Sequence, residues 1–440
     1  MYRIHEIKLD IGESWDALPK KIAGKLKIKP EEILEYTVVK ESIDARDKGN
    51  LKMIYSVDFK CNRNLKVAKA PDLQYKFVES VYPTDKRIAI AGFGPCGMFA
   101  ALVLAQMGYK PVVLERGKSV DERTADVERF WNGGKLDENS NVQFGEGGAG
   151  TFSDGKLTTG IKDPRIRKVL EEFHRFGAPE DILYKQKPHI GTDVLKVVVA
   201  NLRNEVIRLG GEIRFSSQVT DIRCEEGKLT GLVVQNNEEE YFLPCDKAVF
   251  SIGHSARDTF KMLYDRGVEM SQKPFSIGVR IEHPQEIINK AQYGDPKLAK
   301  ELGAAEYKLN HRTSSGRGVY TFCMCPGGEV VMASSSEGQV VTNGMSYRAR
   351  DGEFANSGLL VDVRTEDFES DHPLSGVAFQ EKYERKAYEI SGGYKFPQCT
   401  WKEFKESDLA KCLPEFAVES IIEALPFMGR KLKGFDMPDA

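Results

Sequence analysis

The sequence has no long apolar run, no clustered metal ligands and almost no net charge. No stretch approaches the roughly 18 apolar residues that a membrane-spanning helix needs, which argues against a membrane partner. The opening MYRIHEIKLD is charged from its third residue and lacks the apolar core of a secretory signal, so the expectation is a cytoplasmic protein. Lys and Arg number 63 against 66 Asp and Glu, a net charge of −3, so no global nucleic-acid footprint is expected. The seven His do not fall in HExxH or another ligand spacing, which argues against a dedicated metal site. The eight Cys are spread along the chain without a CxxC, so a disulfide framework is not expected. Cys323 and Cys325, in CMCPGG, are too close for the usual zinc or redox motifs and read as ordinary thiols.

What is present is an ordinary globular composition, 41% hydrophobic and 29% charged, in a chain of 440 residues. At about 150 residues per domain, that length suggests about three domains. Residues 1–80 read as a small α/β unit of the ferredoxin-like kind. Tyr2–Asp10 alternates like a strand, and Trp15–Leu26 has helical spacing behind a Ser14 cap. Glu35–Ile43 and Leu51–Phe59 read as strands joined through Lys48-Gly49-Asn50. This unit holds 16 basic and 13 acidic residues, and Lys60–Lys69 is basic-rich. Docking to RNA or an acidic partner is one reading of that charge; a solvated accessory domain is the other.

Residues 87–117 carry the clearest signal. Arg87–Ala91 is a short apolar strand, Gly92-Phe-Gly94-Pro95-Cys-Gly97 follows at once, Met98–Met107 is an apolar helix, and Pro111–Leu114 is a second buried strand ending in Glu115. Strand, GxGxxG, helix, strand and acid all fall within about 30 residues, the dinucleotide-binding pattern. Gly92 permits the tight turn, Gly94 lets a pyrophosphate approach the backbone, and Gly97 lets the helix pack closely. Pro95 opens the helix, whose N-terminus supplies free N–H groups and a positive dipole end. Glu115 is expected to accept from ribose hydroxyls, which disfavours a 2′-phosphate, with Arg116 a surface or adenine-side residue.

Asn139–Gly160 contains six glycines. Such a loop lets backbone amides approach a ligand as an anion nest. Asp193–Leu209 reads as a helix. Three β-rich runs follow, Glu212–Arg223, Leu229–Gln235 and Glu240–Leu243, then an apolar strand, Asp246–Ile252, ending in Gly253-His254-Ser255. That order of helix, β-meander and return strand is expected of glutathione-reductase-like domains. Phe275 to about Tyr394 reads as a β-rich second domain.

The segments RIAIAGFGPCGMFAALVLAQMGYKPVVLERG, NVQFGEGGAGTFSDGKL, SIGHSARDTF, KPFSIGVRIEHPQ and YTFCMCPGGEVV resemble, in that order, a family of bacterial FAD-dependent dehydrogenases of unassigned substrate. The resemblance covers nearly the whole chain. It implies an α/β fold: a glutathione-reductase-like FAD/NAD(P)-binding Rossmann domain with a β-meander, a β-rich α+β substrate domain and the small N-terminal domain. The implied boundaries are 1–80, 81–265 and 266–396, with 397–440 a helical segment returning toward the FAD domain. By resemblance, Gly92, Gly94, Gly97 and Glu115 bind the ADP half of FAD. Gly147, Gly148 and Thr151 lie along the pyrophosphate or flavin, and Gly253 and His254 near its ribityl or flavin end. Family members continue past a segment like Gly434–Asp436 into a strand, a glycine-rich motif and a closing helix. This sequence stops at Ala440, and Pro397–Leu409 is short against the pattern. The expectation is fewer contacts to the flavin end of the cofactor.

With one GxGxxG and no CxxxxC after the first strand, neither a separate NAD domain nor dithiol chemistry is expected. The reading is an FAD-dependent oxidoreductase acting on a small organic molecule, with NAD(P)H as a transient electron donor. The alternatives are a non-catalytic or apo flavin-binding protein and an RNA-associated flavoprotein. His254 is the candidate proton donor or acceptor beside hydride transfer. Lys156 is the candidate to polarise a flavin carbonyl or hold an anionic substrate. Arg280 and Glu282 share one face of a strand and are candidates for a substrate carboxylate. Oligomeric state is not legible.

Overall fold

The computed structural model describes all residues from Met1 to Ala440 except Val81, Thr84 and Glu238. The N-terminal unit comprises β1 (Tyr2–Asp10), α1 (Leu18–Leu26), β2 (Ile33–Asp44) and β3 (Lys52–Cys61), with antiparallel sheet order β1-β3-β2. Ile22 and Leu18 of α1 pack on Ile7, Leu9, Val57 and Phe59. One helix covers three strands here. A ferredoxin-like unit has a second helix and a fourth strand; here Lys69 pairs with Tyr2 of β1 through one antiparallel bridge, and no second helix lies between β3 and that bridge, so that part of the expectation is corrected.

Next come β4 (Ile88–Ala91), α2 (Pro95–Gln106), β5 (Val112–Leu114), α3 (Val120–Trp131), α4 (Arg165–Arg175) and α5 (Thr192–Arg208). They lead into β6 (Glu212–Arg214), β7 (Ser217–Glu225), β8 (Lys228–Asn236), β9 (Glu239–Pro244), β10 (Lys247–Phe250) and α6 (Arg257–Asp265). Strands β10-β4-β5-β6 form a parallel sheet in that order. Both its faces are covered, which explains the uninterrupted apolar runs. Ile90 and Val113 face α2 and α5, with Leu102, Val199 and Leu202 behind them. Ala89, Ala91, Val112 and Leu114 face the opposite way, onto Val219, Leu232, Val234 and Leu243 of the meander β7-β8-β9. The run Glu212–Arg223 is two strands, not one. Ser216 takes φ +48°, and the chain leaves the parallel sheet there to start the meander.

The remaining elements are β11 (Phe275–Pro284), α7 (Gln285–Tyr293), α8 (Ala299–Leu302), β12 (Asn310–Arg312), β13 (Gly318–Cys325), β14 (Glu329–Met332), β15 (Thr342–Met345), β16 (Phe354–Val363), α9 (Ser375–Ser391), α10 (Asp408–Lys411) and α11 (Glu415–Lys431). An antiparallel sheet runs β11-β16-β13-β12, beside the hairpin β14-β15. Of residues 397–440, expected to return toward the FAD domain, Cys412 shares a core with Phe130 and Leu136, whereas helix α11 packs on the β-rich sheet. Its Ala417, Ile421, Ala424, Leu425 and Met428 are fully buried in one core with Val319, Leu359 and Val361. The apolar stripe of α11 finds its cover on the β-rich sheet. Among the described residues, no helix is long and apolar enough to cross a membrane.

Candidate functional site

Strand β4 ends at Gly92, beside Ser251 at the end of β10. Gly92 holds φ +95°, and a Cβ there would come within 2.5 Å of the Ser251 carbonyl oxygen. Strand order reverses at this point, with β5 and β6 on one side of β4 and β10 on the other. A crevice therefore opens beyond these strand ends. A narrow cleft of about 30 Å³ lies there, lined among others by Gly92, Glu115, Arg116, Gln218, Ile252 and Thr259.

Helix α2 begins at the crevice with Gly94 as its N-cap and Pro95 as its first residue, and no side chain caps it. Pro95 has no N–H to lose and a φ suited to a first turn. Pro95 and Cys96 are exposed, leaving the N-terminal end of the helix open to an anion. Gly97 is buried, and a Cβ on it would overlap the Gly92 carbonyl oxygen. Gly148 of the glycine-rich loop rests on Gly94; its Cβ would stand 3.0 Å from the Gly94 Cα. Phosphate loop and glycine-rich loop thus form one surface. Gly253, φ +70°, and His254 are exposed at the end of β10, where His254 Nδ1 lies 3.0 Å from Ser255 Oγ.

Several expected ligand contacts are taken up internally. Glu115 is only 4% exposed. Its carboxylate accepts from the N–H groups of Phe93 at 2.7 Å, Gly117 at 2.9 Å and Gly145 at 3.0 Å. An inward-turned N–H must find an acceptor, and Glu115 supplies it to three converging loops. Its main role here is therefore as a clamp, with only its rim on the cleft. Arg116 stacks over Phe144 at 4.4 Å and donates to Asp258 at 2.8 Å and Thr259 at 3.1 Å, which fixes one wall of the cleft. The Thr151 hydroxyl is fully buried and donates to the Glu146 carbonyl at 3.1 Å, so it supports the loop and does not face the cleft. Gly147 donates its N–H to Phe93 O at 2.9 Å and Gly148 to Gly145 O at 2.9 Å, so these amides do not form the expected anion nest.

Arg123, fully buried, shapes that loop by donating to four carbonyls: Asn141 and Val142 at 2.8 and 2.9 Å, Glu146 at 2.6 Å and Gly148 at 2.9 Å. A Cβ on Gly145 would overlap its side chain. Sequence reading missed Arg123, which looks like one of many charges on an amphipathic helix.

Lys156 does not point at the crevice. It donates to Asp154 at 2.9 Å and to the Met324 carbonyl, and lies 3.9 Å from Glu306. Asp154 accepts from Arg350 at 2.8 and 2.5 Å and from Ser346 at 2.6 Å. Arg350 also donates to Glu306 at 2.7 Å. Despite burial, the Arg350 guanidinium and the Lys156 ammonium hold the Asp154 carboxyl well below the usual range. Beside them, burial and then the Arg350 charge push His189 down to about 4. This network joins the glycine-rich loop to the β-rich sheet. Arg280 likewise serves the fold: it donates to Asn356 Oδ1 at 2.6 Å and to Cys323 O at 3.0 Å.

Together these elements make a mixed α/β fold, with a parallel sheet covered on both faces and a separate antiparallel sheet. The chain belongs to the same family as an uncharacterised protein of Clostridium beijerinckii. The two are 45% identical over 470 aligned residues, which cover 100% of this chain and 87% of the relative. A family model for the C-terminal domain of FAD-dependent proteins matches residues 274–408, and a model for a domain of unknown function matches residues 1–60. Solved structures similar to this chain include THI4 of Thermovibrio ammonificans, at 16% identity and TM-score 0.28 over 43% of this chain and 66% of that one. Another is a geranylgeranyl bacteriochlorophyll reductase-like protein of Thermoplasma acidophilum, at 12% identity and TM-score 0.32 over 70% of this chain and 62% of that one. A third is the flavin-dependent brominase Bmp2, at 11% identity and TM-score 0.34 over 66% of this chain and 60% of that one. The chain thus spans less than two thirds of each of these solved chains, and at such TM-scores nothing further rests on them.

Proposed function

We propose that this protein is an FAD-dependent oxidoreductase acting on a small organic substrate. The observation that carries this reading is the crevice at the strand reversal, where an uncapped helix end, two facing glycines and a narrow cleft converge. These features fit a dinucleotide. Gly92 and Gly94 bring backbone close to a pyrophosphate, and the exposed start of α2 supplies N–H groups and a positive dipole end. The rim of Glu115 and the wall formed by Arg116 and Gln218 suit the adenosine half, with Gly148 alongside the phosphates. The match of residues 274–408 to the C-terminal domain of FAD-dependent proteins favours FAD over other dinucleotides.

FAD bound there supplies hydride or electron transfer. The chain's own part is to orient the substrate, exclude water and manage protons. Gly253 and His254, at the end of β10, flank the far side of the crevice. His254 is the group we assign to proton transfer there, its ring oriented by Ser255. Lys156 makes no direct contact there, because Asp154, the Met324 carbonyl and Glu306 already surround its ammonium. NADH or NADPH is the proposed electron donor.

The test is the visible spectrum of the purified chain before and after incubation with FAD and desalting. Retained flavin bands are expected, and anaerobic bleaching by NADH or NADPH then identifies the donor. A protein that stays colourless and melts at the same temperature with FAD would overturn the reading. Gly94→Val, which projects a branched side chain toward Gly148, is expected to abolish retention.

A further inference from the structure

Strand β13 is broken by a bulge. Phe322 pairs with Gly358 and Cys325 with Asn356, so Cys323 and Met324 together oppose the single residue Ser357. Cys323 holds φ +48°, a left-handed conformation costly for a residue with a side chain. Residues two apart on a regular strand lie about 6.6 Å apart, near the upper limit of disulfide reach. The bulge bends the chain at that step, and Cys325 Sγ sits 3.3 Å from the Cys323 carbonyl oxygen.

Cations surround this pair. Arg280 Nη2 lies 3.0 Å from Cys323 O and 3.7 Å from Cys325 Sγ. Lys156 donates to the carbonyl of Met324, between the two cysteines. Asn356, fully buried, accepts twice from Arg280 and leaves its own Nδ2 without a partner. An orphaned buried donor beside two thiols is the kind of exception that marks a redox or catalytic site.

We propose that Cys323 and Cys325 form a thiol–disulfide exchange centre for low-molecular-weight disulfides. Cys323 is the attacking residue: it is only half-buried, beside the exposed Phe322, whereas Cys325 is fully buried. The neighbouring Cys325 thiol, then the charges of Arg280 and Lys156, lower the Cys323 thiol against the opposing effects of burial and Asp154. The proximity of Cys323 and burial push Cys325 up, which suits the resolving partner. The Cys323 thiolate attacks one sulfur of the external disulfide, forms a mixed disulfide and expels one thiolate. Cys325 then gives up its proton, its sulfur attacks the Cys323 sulfur, and the second thiolate leaves. Two protein thiols are oxidised, one external disulfide is reduced to two thiols, and the two protons pass to the leaving groups. No step needs a flavin, so failure here and failure of the FAD reading are separable.

The test uses the full reduced protein. Iodoacetamide labelling followed by peptide mapping compares Cys323 with the exposed Cys224 of the same molecule. Cys323 is expected to react about ten-fold faster at pH 7, because more of it is thiolate. In oxidised–reduced glutathione buffers, the peptide holding both cysteines should become two hydrogens lighter and retain no glutathione. Cys325→Ser should trap glutathione on Cys323, and Cys323→Ser should trap none on Cys325. Labelling of Cys323 no faster than Cys224, or a wild-type peptide that stays as two thiols or as a stable glutathione adduct, would overturn the proposal.

Discussion

Gly97 has no side chain because the Gly92 carbonyl occupies the space a Cβ would need. Replacing it with Ala forces α2 away from the phosphate loop. Gly97→Ala is expected to lose flavin retention and about 1–3 kcal/mol of stability, read by desalting and by urea denaturation. His189 makes a pH prediction. Its pKa falls from an ordinary 6.5 to about 4 in the folded protein. The unfolded chain takes up a proton below about pH 6.5 that the folded chain refuses, so stability is full above that pH and falls toward pH 4. His189→Asn is expected to reduce the loss between pH 7 and 4.5 by up to about 2–3 kcal/mol, measured as the difference in urea stability at the two values. An unchanged pH profile in the variant would show that another group carries the loss. Residues were the least legible scale. Motif position points Glu115, and the family resemblance Thr151, at a ligand, but the Glu115 carboxylate is claimed by backbone N–H groups of three loops and the Thr151 hydroxyl by a carbonyl of its own loop. A motif shows where a side chain sits along the chain, not which neighbours compete for it.

At the scale of elements, β4, α2 and β5 were legible because each is a short apolar run punctuated by glycine. Helix α2 was expected from Met98 and begins at Pro95, the extra residues being the uncapped first turn. The break between β6 and β7 was invisible because Phe215 and Ser216 carry no turn signature, and only the left-handed φ of Ser216 makes it. The bulge at Cys323 was equally hidden, since no glycine marks it. The sheet that covers α11 was not legible, because an amphipathic stripe says that a helix packs, not on what. Leu425→Ala, at a fully buried position, is expected to cost about 2–5 kcal/mol. Hydrogen exchange checks the placement: protection should fall in β13 and β16 and stay unchanged in β4 and β5. The reverse pattern would place the helix on the other sheet.

At the scale of the molecule, the N-terminal unit is tied to the rest through apolar packing, with Leu51 buried in the core of the β-rich sheet and Ile11 and Ala45 against it, and through hydrogen bonds. Glu41 exchanges backbone hydrogen bonds with Tyr184 and Gln186 at 2.7 and 2.9 Å, and Lys48 reaches the Ala291 carbonyl at 2.6 Å. Trp15 meets Tyr184 edge-on at 5.3 Å. Tyr184→Ala is expected to loosen this docking by about 1 kcal/mol, from the lost aromatic pair and its buried area. Limited proteolysis should then cut the exposed segment between residues 62 and 80 several-fold faster, with urea stability of the remainder unchanged. The order of strands and helices along the chain was largely legible from its apolar runs and glycines. The ties between them were not, because the partners stand far apart in the chain.

The Asp154–Arg350 pair spans 196 positions. During synthesis the glycine-rich loop leaves the ribosome long before the guanidinium that neutralises its buried carboxylate. Until then Asp154 has no reason to leave water, and the loop has no fixed path. The glycine-rich loop is therefore set late, after translation has passed residue 350, and vectorial assembly cannot fix its path before the β-rich segment that carries Arg350 has been made. A nascent chain arrested ahead of Arg350 would hold the strands and helix of the nucleotide motif with an unset loop between them, which makes that interval the one in which a chaperone has the most surface to hold.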